Sequence, residues 1–304
     1  PHAIALPMQG RDYCRPTVAA LGRLRGRNLP GSAYPFAMRN RWIVGAFAAL
    51  AATPAGFVQA QMPAAAASCT LATVASGAVA SVIDGRTLTL DDGREVRLAA
   101  IEVGPPTDAV GAAAKDALAA LVAGQTVELR GAEAGTDRYG RVVAHVYLVA
   151  DKKERWVEAE LVERGQARVS ARVGERACAA ALLARERTAR AAKLGLWADP
   201  YYGVRRAEDA AAVAAERGRF AIVEGKVLSV RESGATIYVN FGRRWSEDFT
   251  VTIAKRNEAA FAKAGLEPKR LAGRRVRVRG WIEQRGGPWV EATRPEQIEL
   301  AERN

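Results

Sequence analysis

Between Ala78 and Ile101 apolar and polar residues alternate in short runs, broken by Asp84-Gly85 and Asp92-Gly93. A period of two turns one face of each run toward a core, and Asp-Gly pairs form tight turns, so strands are expected at 78–82, 87–90 and 95–101 in a compact meander. Thr107 can cap a helix to about Val122, with Leu118, Leu121 and Val122 as its inward stripe and Gly124 as its stop. Strands follow at 126–130 and 141–149 on either side of the turn 136–140, with 151–153 as a loop beyond them. Helices at 156–164 and 177–193 are then stopped by Gly165 and Gly195. Residues 199–217 are rich in Ala, Arg and Glu without a broad apolar face, and read as a partly helical linker. From Gly218 strands are expected at 220–230, 236–241, 248–253, 274–281 and 289–292, with a helix near 257–264 between the third and the fourth. That is the element order of an OB-fold.

The first 76 residues follow neither period. Residues 1–37 are rich in Arg, Gly and Pro and read as an upstream or disordered extension. In 38–60, Arg39 and Arg41 precede an apolar run at 42–52, and Val58-Gln59-Ala60 has the form of a cleavage site, so the segment reads as a signal peptide and the protein as exported, periplasmic or secreted. The apolar run is shorter than the roughly 20 residues that span a bilayer, so no stable membrane span is expected after cleavage. Residues 61–76 read as a flexible lead-in. Export implies an oxidising compartment. With Cys14 upstream, Cys69 and Cys178 remain as an even pair, for which a disulfide and two free thiols are both open.

The 304 residues suffice for two domains plus extensions, and the net charge is +12. A basic balance points toward nucleic acid. The excess is uneven, however: about +6 before residue 61, about zero from 61 to 200, and about +6 beyond.

Five short motifs change the picture: Asp84-Gly85-Arg86-Thr87, Val96-Arg97-Leu98, Ile101-Glu102-Val103-Gly104-Pro105, Asp137-Arg138-Tyr139-Gly140-Arg141 and Leu194-Gly195-Leu196-Trp197. In this order they resemble the thermonuclease (staphylococcal-nuclease-like) family over roughly 78–198. The resemblance implies that 77–198 is a β-barrel with helices, of OB-fold type and α+β class, so that the chain holds two OB-like domains, the second at 218–304, joined by the Ala/Arg-rich linker. It also implies a hydrolase in which calcium, a carboxylate base and two arginines act on a phosphodiester. Arg97 and Arg141 match the two phosphate arginines. Glu102 falls at a calcium aspartate, one methylene longer, and Val103 can offer its backbone carbonyl.

Two positions depart from the family's pattern. Arg86 stands where the motif Asp-Gly-Asp-Thr has a calcium ligand, and Pro105 where the family has its glutamate base. Exchanging a carboxylate for a guanidinium shifts the local charge by two units, which at about 5 Å opposes a divalent ion by roughly 3 kcal/mol even at the dielectric constant of water. An outward swing of Arg86 would relieve the repulsion without restoring the ligand. Calcium is therefore expected to be weak or lost. Asp84 or Asp108 could supply a shifted carboxylate, although the simpler readings are a turn residue and a first-turn helix residue. His145 is expected to pack or to lie at the surface. No Cys/His set has zinc spacing, and no Ser-His-Asp set or Gly-rich phosphate loop is indicated.

In the second region Arg275-Val276-Arg277-Val278-Arg279 alternates strictly, placing three guanidiniums on one face. With Tyr238 and Trp281 nearby, and Trp245 and Trp289 in adjoining segments, this composition suits a single-strand-binding groove; the other reading is a solvated edge with aromatics in the core. Three functions follow. The first is a nucleic-acid or phosphate-binding protein with a degraded calcium and base site. The second is a calcium-dependent nuclease cleaving DNA or RNA through Glu102, Asp84 or Asp108, and the third a cell-envelope protein-interaction module.

Overall fold

The strand β1 (Thr73–Asp84) is long enough to pair with β2 (Thr87–Leu90) at one end and β5 (Thr126–Thr136) at the other, with bulges that bend it between them. A computed structural model describes residues 69–301 apart from 151, 152, 171, 173 and 174, so the segments read as extension and signal peptide lie outside it. β3 (Glu95–Leu98) continues the meander, β4 (Ile101–Glu102) follows it, and α1 (Ala109–Val122) crosses to β5. β6 (Val142–Ala150) and β7 (Lys153–Trp156) extend the sheet in the order β3-β2-β1-β5-β6-β7, and a parallel pairing of β3 with β6 brings the run back on itself. That closure makes the OB-type barrel. α2 (Val157–Glu163), β8 (Arg168–Val169) and α3 (Arg176–Ala191) complete this half. In its apolar core Leu88, Val96, Leu98, Val127 and Leu129 from the strands meet Leu118, Leu161 and Leu182 from the helices, with Glu158 and His145 buried beside them.

The lead-in ends earlier than the alternation suggests. Residues 73–77, Thr-Val-Ala-Ser-Gly, are small and show no period-two alternation, yet Thr73 to Ala78 pair with β5, and Val74 and Ala75 pack against the core. Cys69 is disulfide-bonded to Cys178 on α3, Cα–Cα 4.4 Å, which ties the strand's start to the far end of the half. The cap of α1 is Asp108 and not Thr107: its Oδ1 accepts from Gly111 N–H at 2.6 Å. Gly111 has to be glycine, because a Cβ there would lie 1.8 Å from the carbonyl oxygen of Pro105.

The expected linker is folded. β9 (Arg205–Arg206) pairs parallel with β10 (Phe220–Lys226), α4 (Ala210–Ala214) follows it, and Tyr202, Ala207 and Val213 are buried. The single strand expected at 220–230 is two. The chain turns at the buried Val227, so β10 joins the sheet β17-β14-β10-β9, while β11 (Ser229–Ser233) opens the sheet β11-β12-β13-β16-β15. The remaining elements are β12 (Thr236–Asn240), β13 (Thr250–Ala254), α5 (Glu258–Lys263) between β13 and β14 as expected, β14 (Arg275–Trp281), β15 (Glu283–Arg285), β16 (Gly287–Glu291) and β17 (Ile298–Leu300). Val223, Val276 and Val278 of the first sheet pack with Ile237, Val239 and Val251 of the second.

Barrel and second region share a core of Leu196, Trp197, Tyr202, Phe220 and Ile222. A charged clasp reinforces it. Arg279, 1 % exposed, donates to the carbonyl of Val169 at 2.8 Å, to Glu186 at 2.7 Å and to Glu299 at 2.5 Å. Burial pulls its pKa down, but the two carboxylates outweigh burial and hold it above the ordinary value. Among the described residues no helix is long and apolar enough to cross a membrane.

Candidate functional site

Arg97 sits on β3 opposite Thr87 of β2 and Val143 of β6, at the seam where the barrel closes. β4 pairs Ile101 and Glu102 with Val169 and Arg168 of β8. The turn after β5 is built by Asp137, whose Oδ1 accepts from the N–H groups of Tyr139 (2.9 Å) and Arg141 (3.1 Å), with Gly140 at φ +80° closing it. These three elements place Arg97, Glu102, Asp137, Arg138 and Tyr139 around one cavity of about 530 Å³. A second cavity, about 340 Å³, is lined by Asp84, Arg86, Glu102, Val103 and Pro105. Trp281, at the end of β14, lines both.

Arg86 does not swing outward. Its Nη1 pairs with Glu102 Oε2, while Arg97 Nη2 lies 3.5 Å from Glu102 Oε1, so each oxygen of that carboxylate faces a guanidinium. Burial, and secondarily the charge of Arg86, hold the pKa of Arg97 below its ordinary value, with Glu102 opposing. Glu102 thus serves as counter-ion to two cations.

The donor set does not fit calcium, which takes roughly six to eight oxygens. Glu102 is engaged by two arginines, Asp84 Oδ1 accepts from the Arg86 N–H at 2.9 Å as an ordinary turn residue, and Pro105 brings no acceptor side chain. Among the described residues no three His, Cys, Asp or Glu side chains are grouped to hold a metal ion. Nor is Asp108 a free base: it caps α1 and accepts from the Tyr202 hydroxyl at 2.5 Å. Burial and that bond raise the Tyr202 phenol above its ordinary value.

Arg141 is bound within its own turn, its Nε and Nη2 reaching Asp137 Oδ2 at 2.9 and 2.7 Å, and this pair holds the Asp137 carboxyl below its usual range. Arg138 instead donates to the Tyr139 hydroxyl at 2.6 Å, on a ring that is 66 % exposed. His145 is packed edge-on against Trp156, and burial pushes its pKa down to about 4.

The residues expected to form a single-strand groove do not form one surface. Arg279 is consumed by the clasp, Arg277 pairs with Glu224 at 2.6 Å, and Arg275 approaches the same carboxylate at 3.6 Å. The alternation of β14 is as expected, but the face it creates carries its own counter-ions, and its Arg279 end packs against the barrel. Tyr238 lies on the other sheet, across from Thr252, in a groove of about 590 Å³ with Trp245 and Trp289. Of the five, Trp281 alone joins the barrel site.

Arg168 is a member that sequence reasoning missed. It lines the second cavity, is 8 % exposed, and its guanidinium covers the rings of Tyr202 and Phe220. Burial lowers its pKa. A two-residue strand such as β8 has no period to detect. Arg138 and Tyr139, by contrast, stood in plain view inside the turn motif.

A family model described as staphylococcal nuclease homologue matches residues 95–199, a range that holds Arg97, Glu102 and Arg141 but not Asp84 or Arg86. No match is found among curated proteins. With the closed OB-type barrel, the arginine on its closing strand and the Asp-Arg-Tyr-Gly-Arg turn beside it, the chain carries a staphylococcal nuclease homologue domain over residues 95–199.

Proposed function

We propose that the barrel binds a phosphodiester of DNA or RNA without calcium and does not hydrolyse it. The observation that carries this reading is the Arg86–Glu102–Arg97 arrangement: a guanidinium stands beside the carboxylate that a divalent ion would need, while Arg97 and Arg138 still line the cavity. A guanidinium donates two parallel, charge-assisted hydrogen bonds to a phosphate, and an arriving phosphate competes with Glu102 for Arg97. Domains of this family are calcium-dependent nucleases that bind nucleic acid; here Arg97 lines the cavity with Arg138, Arg141 is held by Asp137 and does not line it, and the ligand set for the metal is lost. Export belongs to the same proposal, supported by the pattern at 38–60 and by the Cys69–Cys178 disulfide, which persists in an oxidising compartment.

The test is to follow a labelled oligonucleotide for binding and cleavage, with calcium and with chelator. Binding that weakens with salt, falls in Arg97→Ala, ignores the chelator and produces no fragments is the expected result. Chelator-sensitive cleavage abolished by Arg141→Ala would instead make the protein an active nuclease. Absence of any oligonucleotide binding would leave the envelope-interaction reading.

A further inference from the structure

We propose that a nucleic-acid strand held at Arg97 continues into a cationic cleft built between the barrel and the second region, a binding surface distinct from the phosphate pocket. The inference rests on the reading of that pocket as a phosphodiester site.

The cleft has a volume of about 790 Å³ and is lined by Arg172, Arg176, Arg256, Lys263 and Arg294. Two carboxylates, Glu175 and Glu296, share the lining, so the cleft keeps an excess of positive charge. This differs from β14, where Glu224 answers Arg275 and Arg277. Arg256 and Lys263 are exposed at either end of the segment carrying α5, and among the described residues neither is in an ion pair.

Geometry ties the cleft to both halves. Arg176, at the start of α3, donates to the carbonyls of Lys263 at 3.4 Å and Ala264 at 3.2 Å, so the end of α5 is held against the barrel's last long helix. Arg172 lines this cleft and the 530 Å³ cavity alike, and is exposed. A chain of phosphates leaving Arg97 therefore meets Arg172 next and the cleft after it. A polyanion with regularly spaced charges suits such a series of cations, because each phosphate it neutralises releases bound counter-ions. A nucleic-acid strand is favoured over other polyanions because the series begins at the Arg97 pocket proposed above to bind a phosphodiester.

The experiment compares thymidine oligomers of about 4 and about 16 nucleotides, lengths that bracket the footprints of small single-strand-binding folds. Binding is measured across a salt series for the full chain, Arg97→Ala and the double variant Arg256→Ala/Lys263→Ala, with thermal melting to confirm that each variant is folded. For the long oligomer the double variant is expected to lower the slope of log K against log salt by about 1.4, about 0.7 per lost contact to a single strand. The short oligomer, filling only the pocket, is expected to bind the double variant as it binds the unaltered protein. Equal binding of the long oligomer by both, with Arg97→Ala still impaired, overturns the cleft and leaves the pocket standing. A loss of the same size for both lengths also overturns it, since the two cations would then act through the general field. Failure of the unaltered protein to bind either length removes the pocket and the cleft together.

Discussion

Arg86 can be titrated by mutation against calcium. An ion bound to Glu102 would sit roughly 2.4 Å from a carboxylate oxygen. The Arg86 guanidinium is hydrogen-bonded to that same carboxylate, so its charge would lie about 5 Å from the ion. At the dielectric constant of water one unit charge at that distance opposes a divalent ion by about 1.7 kcal/mol, or about 15-fold in affinity. Arg86→Gln removes one unit and Arg86→Asp removes a second, so calcium affinity measured by calorimetry should rise in two steps of about 15-fold each, to a total of a few hundredfold. The lower dielectric of a half-buried site makes these lower bounds. Arg86→Asp should also melt at a higher temperature when calcium is added, while the unaltered protein should not respond. Tight calcium binding by the unaltered protein would refute the reasoning outright. A rise confined to the second step would show that the missing ligand, and not the guanidinium's charge, is what excludes the ion.

Three further outcomes follow from other parts of the fold. Arg279→Met removes the nearest cation from Glu186 and Glu299, leaving them Arg190 at 3.9 Å and Arg187 at 3.4 Å, and should lower unfolding stability by about 3 kcal/mol in denaturant titration; adding Glu186→Leu should recover part of that loss, and an unchanged midpoint for Arg279→Met would show that the clasp is not coupled to folding. Burial raises Glu158 to about 8 from 4.5 and lowers His145 to about 4 from 6.5. The folded state keeps the Glu158 proton, so stability falls as pH rises from 4.5 to 8; it also refuses the His145 proton, so stability falls as pH drops from 6.5 to 4. His145 Nδ1 lies 3.7 Å from Glu158 Oε1, so the two titrate as a pair; above pH 6.5 the retained Glu158 proton makes stability decline toward pH 8, a decline that Glu158→Gln should abolish; a profile that rises over this interval would contradict it. Replacing Cys69 and Cys178 by serine opens a link across 109 residues and should cost up to about 5 kcal/mol by loop-closure entropy, read as the denaturation midpoint of the serine variant against that of the oxidised protein; equal midpoints would show that the bridge does not constrain the unfolded chain.

Local pattern was enough for most of the barrel. Asp-Gly turns, strict alternation and glycine stops are properties of a few neighbouring residues, so β2, α3 and the turn at 137–140 could be read directly, and the order of motifs named the family before any packing was known. Where the pattern lacked contrast it was silent: 73–77 consists of small residues with no strict alternation, β8 is two residues long, and the segment 199–217 acquires its strand and buried side chains only from β10 and the shared core.

The site's chemistry was legible as a list of residue types and illegible as a set of pairings. That Arg86 removes a carboxylate ligand is written in the sequence; that it turns inward to occupy Glu102 depends on β4, 16 residues away, being pressed beside the turn. The alternation of β14 was visible, but not which residues faced it: Arg279 meets Glu186 and Val169, 93 and 110 residues away, and is buried, while Tyr238 is carried to the other sheet by the turn at Val227. Periodicity fixes the side of a strand on which a residue lies, because that depends on backbone geometry alone. Only tertiary packing decides whether that side meets water, a counter-ion or another part of the chain, because the free energy of a charge is set by neighbours that sequence distance does not reveal.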